Sequence, residues 1–120
     1  MGLLSAAMLA PSSPRDCRRS ATSAVRVTAL YRNAVDDAFR ARFEEHAELC
    51  RRVPGLRAFR YGPVFGSPSG ESPWTWTAEF EFTDPDAFRS GVRSAEMAAT
   101  GQDVQQFAPD VELFFVRVDG

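Results

Sequence analysis

The chain has 120 residues, of which 44% are hydrophobic and 25% charged, and its formal net charge is -2 with histidine neutral. This length allows one domain, and this composition is typical of a globular protein rather than a disordered or nucleic-acid-binding one. Because no stretch approaches the roughly 20 apolar residues that span a bilayer, neither a nucleic acid nor a membrane is an expected partner.

The first 24 residues differ in character from the rest. They are rich in Ser, Ala, Pro and Arg without sustained periodicity, and their apolar run LLSAAMLA precedes the basic residues, unlike a secretory signal. We predict a disordered tail over residues 1–24, a domain over residues 25–120 and a cytoplasmic protein. An organelle transit peptide, which shares the Arg and Ser content, is the alternative for the tail.

The spacing of apolar residues predicts the first half of the domain. Residues 25–31 alternate apolar and polar side chains, as a half-buried strand does. Residues 34–53 carry an apolar stripe at intervals of three and four, which predicts an amphipathic helix with Asn33 as its N-cap. A Pro-Gly pair ends this helix, and residues 56–65 form the second strand before a loop.

The second half of the domain repeats this order. Residues 74–82 alternate strictly and predict a strand. Asp84 or Thr83 as an N-cap and Pro85 at the first helical position predict a helix, followed by a second helical piece over residues 94–107 and a last strand. The β-α-β-β-α-β order predicts an α+β, ferredoxin-like fold, whose antiparallel sheet has its helices on one face.

The other face of the sheet would need a cover. Its predicted residues make an apolar surface too large to leave in water: Leu30, Phe114, Val116 and Val118 beside Thr75, Thr77 and Glu79. We therefore predict a homodimer that buries this face around a two-fold axis. The alternative is that the N-terminal tail folds over it.

His46, the only histidine, lies on the apolar stripe of the first helix. A neutral imidazole can accept and donate a proton near pH 7, so His46 is the candidate general acid/base. Tyr31 would donate a hydrogen bond to a substrate oxygen. A structural histidine in the core is the alternative.

A small apolar or aromatic molecule is the expected ligand. Lone His46 and two badly spaced cysteines predict no metal site, and the absence of a Gly-rich phosphate loop or nucleotide fingerprint predicts no cofactor. The Glu and Arg residues flanking the first helix, Arg42 included, are interpreted as solvated ion pairs without a function. The candidate substrate-binding residues are aromatic: Trp74, Trp76, Phe43, Phe80 and Tyr61.

The segment FRARFEEHAELCRRVPGLRAFRYG resembles the first helix and second strand of the EthD-like family, within the dimeric α/β-barrel superfamily. His46 and the Pro-Gly-Leu sequence carry the resemblance, and Asp103 with Phe107 fits a later acidic residue close to a Phe. Asp103 would then orient His46 or act as a base itself, if the helix that carries it folds over the cavity mouth. A solvated or capping Asp is the alternative. The resemblance covers residues 25–118 and implies a ferredoxin-like domain that dimerises into an α/β barrel. Glu48 and the alanine after His46 depart from the family pattern, so the resemblance does not transfer a reaction.

These observations favour a cofactor-independent cyclase, dehydratase or isomerase. Its substrate would be an apolar or aromatic oxygenated compound of catabolism or secondary metabolism, with His46 as general acid/base. The resemblance implies two alternatives. One is a non-catalytic accessory module for an oxygenase, such as ether degradation with a cytochrome P450 system, and the other is a cofactor-free monooxygenase or a haem-binding relative.

Overall fold

A computed structural model describes residues 23–120, so the predicted tail lies outside the described residues except for its last two positions. The predicted order of strands and helices is confirmed, with the second helical region divided into two helices. No helix in residues 23–120 is long and apolar enough to cross a membrane. The elements are β1 (Val25–Tyr31), α1 (Asp37–Cys50), β2 (Leu56–Pro63), β3 (Trp76–Phe82), α2 (Pro85–Val92), α3 (Ala95–Phe107) and β4 (Glu112–Arg117).

The four strands form one antiparallel sheet in the order β2-β3-β1-β4, which confirms the ferredoxin-like class. Alternate residues of the central strand β1 are buried under the helices, from Val25 to Tyr31. The edge strand β4 differs, because all six of its residues are exposed. The helices therefore cover the sheet centre and leave the β4 side of their own face partly open.

The helix starts show how short polar side chains set local structure. Asp36, not Asn33, caps α1, and its Oδ1 accepts a hydrogen bond from the Phe39 backbone N–H at 2.8 Å. The Asn33 prediction was wrong because that side chain is used elsewhere: its Nδ2 donates to the Phe107 carbonyl at 2.8 Å. The predicted Asp84 cap is confirmed.

Helix α2 lies very close to the sheet at Gly91. A Cβ at this position would clash with the Phe82 ring and stand 2.9 Å from the Pro54 carbonyl oxygen. Glycine is therefore required here for close packing of the helix on the sheet. This contact holds α2 beside the innermost part of the core, where Phe82 is fully buried.

The face of the sheet opposite the helices is mixed, whereas the sequence predicted an apolar surface. Its apolar part contains Leu30 on β1 with Phe114 and Val116 on β4, as their cross-strand register requires. Its charged part surrounds the buried carboxylate of Glu81. Three guanidinium groups lie within 3.5 Å of that carboxylate, those of Arg26, Arg57 and Arg60.

Candidate active site

A cavity of about 210 Å³ lies on the helix-covered side of the sheet. Its wall is almost entirely apolar, and His46, Tyr31 and Thr100 are the lining residues whose side chains contain nitrogen or oxygen atoms. The Thr100 hydroxyl donates to the Met97 carbonyl at 2.7 Å, so it is already used. The full lining consists of Val27, Ala29, Tyr31, His46, Phe80, Val92, Met97, Thr100, Gly101, Val104, Leu113 and Phe115.

His46 is placed at this cavity by the apolar stripe of α1, and its side chain is 4% exposed. Its Nδ1 lies 2.8 Å from Asp103 Oδ2, and its ring packs against those of Phe43 and Phe107. A carboxylate only accepts hydrogen bonds, so the neutral imidazole must carry its proton on Nδ1. Nε2 then holds the lone pair, and it has no hydrogen-bond partner among residues 23–120.

Burial and hydrogen bonding determine the charge state of His46 and Asp103. Burial lowers the pKa of His46, and this effect outweighs the hydrogen bond to Asp103, which acts in the opposite direction. Hydrogen bonds from Arg42 and then from His46 hold the pKa of Asp103 below its ordinary value, although partial burial opposes them. At neutral pH, a neutral imidazole therefore faces an ionised carboxylate.

Arg42 is the residue that the sequence interpretation missed. Its Nη2 lies 2.6 Å from Asp103 Oδ1 and its Nη1 lies 3.1 Å from Oδ2, so the guanidinium binds both carboxylate oxygens. The interpretation of Arg42 as part of a solvated flank was wrong, since its side chain is 27% exposed and packs over the Phe107 ring. One sequence signal could have identified Arg42: it lies one helical turn before His46, on the same side of the helix.

Tyr31, at the end of β1, also lines the cavity. Its side chain is buried, and its hydroxyl has no hydrogen-bond partner within the described part of the chain. Burial, with a smaller effect of Cys50, raises the pKa of the Tyr31 phenol. The hydroxyl therefore stays protonated and can donate a hydrogen bond to a ligand oxygen.

The structure gathers part of the predicted site. His46, Tyr31 and Phe80 line the cavity, and Asp103 contacts His46 from α3. Phe43 is fully buried in the core and touches the His46 ring without lining the cavity. The apolar wall that α2, α3 and β4 contribute was not anticipated, because sequence periodicity does not show which side chains meet at a cavity.

Three predicted aromatic residues lie away from the cavity. Trp76 is buried in the core, stacked on Tyr61, and Trp74 lies before β3 with the Arg32 guanidinium 4.3 Å above its ring. The Tyr61 hydroxyl donates to Glu44 on the outer flank of α1 and accepts from Arg51. These side chains make structural contacts in the present arrangement.

The polar atoms at the cavity determine what it could hold. Within residues 23–120, no group of three or more His, Cys, Asp or Glu side chains is arranged to hold a metal ion. The available groups are one imidazole lone pair and one phenol donor. Such a pair can remove a proton from a carbon acid while a donor stabilises the oxygen on which charge develops.

Comparison with known proteins identifies relatives among solved structures, whereas no family model and no curated protein matches. An ethyl tert-butyl ether (EthD) family protein from Bacillus halodurans is 33% identical, with a TM-score of 0.70 over 78% of this chain and 96% of that one. A dimeric ferredoxin-like protein of unknown function from Thermobifida fusca is 16% identical, with a TM-score of 0.60 over 80% and 92% of the two chains.

Two enzymes share the fold at low sequence identity. Hydroxynitrile lyase from Passiflora edulis is 12% identical, with a TM-score of 0.65 over 82% of this chain and 95% of that one. SnoaB, a cofactor-independent oxygenase from Streptomyces nogalater, is 16% identical, with a TM-score of 0.59 over 83% and 96% of the chains. These two likenesses concern the fold alone, since one fold supports different chemistries.

Proposed function

The chain belongs to the EthD family, and we propose that it is a cofactor-independent enzyme that moves a proton within a small apolar oxygenated compound. His46 is the general acid/base, and Tyr31 is the oxygen-binding donor. The observation that carries this proposal is the anchoring of His46 Nδ1 by Asp103 at the wall of an apolar cavity. This arrangement leaves Nε2 as the basic nitrogen.

The proposed reaction begins at a carbon next to a carbonyl group. His46 Nε2 takes a proton from that carbon, the C–H electron pair moves toward the carbonyl oxygen, and Tyr31 donates a hydrogen bond to the enolate oxygen. Where a C=C bond is conjugated with the enolate, protonated His46 then returns the proton to the far carbon of that bond, the double bond shifts, and an isomerisation is complete. Alternatively, His46 protonates a β-hydroxyl that leaves as water, or the oxygen of a second carbonyl that the enolate carbon attacks in cyclisation.

The cavity favours a neutral substrate of about one ring. Its volume of about 210 Å³ compares with the roughly 150 Å³ of an apolar cavity that holds benzene. No Arg, Asp or Glu side chain lines it, and both of its available polar groups are neutral at pH 7. A charged substrate would lose its hydration without a compensating partner.

A second copy of the chain is the partner we propose for the open face of the sheet. Leu30, Phe114 and Val116 form an apolar strip there, and the last two remain 45% and 42% exposed in one chain. The Thermobifida fusca neighbour is described as dimeric. We expect a homodimer that encloses this strip as an α/β barrel, working in the cytoplasm.

Hydrogen exchange into simple ketones tests the proposed base without knowledge of the natural substrate. The protein is incubated with acetophenone or cyclohexanone in deuterated buffer, and mass spectrometry measures deuterium next to the carbonyl. We expect the native protein to accelerate exchange and His46→Gln to lower that acceleration by about 10²- to 10⁴-fold. Arg52→Met is the control, because Arg52 is exposed and has no ion-pair partner among the described residues.

The outcomes separate the candidate functions. Equal exchange by the native protein and His46→Gln, with both ketones, contradicts the proposal. Binding of the ketones without exchange would instead indicate an accessory module. Consumption of dissolved oxygen would contradict the proposal in favour of the oxygenase chemistry described for the Streptomyces nogalater neighbour.

A further inference from the structure

The Asp103 carboxylate is bound from two sides. Arg42 reaches both of its oxygens through a planar guanidinium, at 2.6 and 3.1 Å, and His46 Nδ1 reaches Oδ2 at 2.8 Å. A two-point contact of this kind fixes the plane of a carboxylate, which a single hydrogen bond does not. The lone pair of Asp103 Oδ2 that accepts a hydrogen bond from His46 Nδ1 therefore has a fixed direction.

Arg42 is itself held in place. Its guanidinium carbon lies 4.5 Å from the centre of the Phe107 ring, and the same ring packs against His46. The nearest competing carboxylate is that of Glu45, which is 76% exposed and 4.0 Å from Arg42 Nη1. Since Asp103 is closer and better shielded from water, with 17% of its side chain exposed, it is the main partner of Arg42.

We infer that Arg42 is a positioning residue that acts through Asp103 to fix the Nδ1–H tautomer of His46. This inference rests on the proposed function, because the tautomer determines whether Nε2 is the base at the cavity. A histidine side chain in water favours the opposite tautomer, with its proton on Nε2, so the protein must supply the preference. Without Arg42, the Asp103 carboxylate can rotate toward solvent and its hydrogen bond to His46 weakens.

Nitrogen NMR tests the inference directly, because His46 is the only histidine in the chain. The full chain is labelled with ¹⁵N and measured without ligand, at a pH where the imidazole is neutral. The chemical shifts of the two ring nitrogens of His46 then show which one carries the proton. We expect Nδ1 to carry the proton in the native protein. Arg42→Met should lower the Nδ1–H to Nε2–H ratio about tenfold, a size consistent with loss of a charge-assisted hydrogen bond.

Two further variants complete the experiment. Arg42→Lys keeps the positive charge but cannot bind both oxygens in one plane, so it should give an intermediate ratio. Arg52→Met should leave the ratio unchanged, because Arg52 lies outside this contact. If Arg42→Met does not fold, Arg42→Lys decides the question: a ratio below that of the native protein supports the inference.

An unchanged tautomer ratio in a folded Arg42 variant overturns the inference, since Asp103 would then orient His46 without help. This measurement needs no substrate, so its result is separate from that of the ketone exchange. A shifted ratio combined with full exchange activity in His46→Gln would sustain the role of Arg42 and reject His46 as the base. An unchanged tautomer ratio in the Arg42 variant, combined with loss of exchange in His46→Gln, would reject the role of Arg42 and support His46 as the base.

Discussion

His46 Nδ1 and Asp103 Oδ2 lie 2.8 Å apart although 57 positions separate the two residues in the chain. The contact joins α1 to α3 beside the cavity, whose wall includes His46 from α1 and Met97, Thr100, Gly101 and Val104 from α3. It is therefore a structural connection as well as a chemical one, and its removal has consequences for stability that can be measured without a substrate.

We expect Asp103→Ala to lower the free energy of unfolding by about 1–3 kcal/mol, because the buried His46 Nδ1–H and Arg42 lose their acceptor. Urea denaturation measures this change. Asp86→Ala is the matched control, since the Asp86 carboxylate is 90% exposed and, within residues 23–120, pairs only with Arg89. The control should change stability by less than about 0.5 kcal/mol. Equal effects of the two substitutions would contradict a buried role for Asp103.

The lowered pKa of His46 predicts an acid-sensitive stability. Above the ordinary histidine pKa of about 6.5, the imidazole is neutral in both folded and unfolded chains. As pH falls through this value toward the lower folded pKa, the unfolded state binds more protons and stability is lost. Asp103 stays ionised throughout this window, since its pKa is also lowered, and the other facing groups are Arg42 and the un-ionised Tyr31.

Urea midpoints at about pH 7.5 and about pH 5.5, on either side of the ordinary histidine pKa, measure this dependence. We expect the native protein to lose stability over this interval. His46→Gln should lose less, because it has no imidazole to protonate. A pH dependence that is the same in both proteins would show that other groups cause it.

Two glycines on neighbouring helices should respond oppositely to alanine. At Gly91 a methyl group would clash with the Phe82 ring, so Gly91→Ala should destabilise the protein by about 1–3 kcal/mol. At Gly101 a methyl group meets no atom within 4 Å, and Gly101→Ala should stabilise α3 by roughly 0.5–1 kcal/mol. Thermal unfolding compares the two, and a stabilised Gly91→Ala variant would contradict the described packing of α2.

The proposed homodimer makes Phe114 a sensitive position. Phe114→Glu places a charge in the apolar strip of the open face, so sedimentation velocity should detect monomers at concentrations where the native protein is dimeric. Phe65→Glu is the control, because Phe65 is fully exposed outside the strands. We expect it to remain dimeric. A dimeric Phe114→Glu protein would place the interface elsewhere.

The alternation of side chains made the fold predictable, because burial on one face of each strand leaves a period-two pattern in the sequence. The β1 pattern over Val25–Tyr31 is an example. The Asp84-Pro85 helix start was predictable for another reason, since a capping carboxylate and a proline at the first helical position are local signals. The place of a strand in the order of the sheet leaves no such pattern in the sequence. Tyr61 has a suitable face for ligand contact, but β2 is the edge strand farthest from β4, so its phenol meets α1 residues instead.

The candidate site was partly predictable for a similar reason. His46 follows from helical spacing, whereas Asp103 came from the family resemblance, since a contact across 57 positions has no local signature. Arg42 was misinterpreted because surface helices carry many arginines that resemble one another in sequence. Only the carboxylate that faces it distinguishes Arg42 from its neighbours.

The edge strand β4 serves two surfaces at once. Leu113 and Phe115 point to the cavity side, and the residues that alternate with them, Phe114 and Val116, belong to the opposite face. In the proposed dimer, occupancy of the cavity and association of two chains would therefore both act on one six-residue strand. Thermodynamic linkage makes such coupling reciprocal, so apparent ligand affinity would vary with protein concentration, and ligand would change the dimer dissociation constant by the corresponding factor.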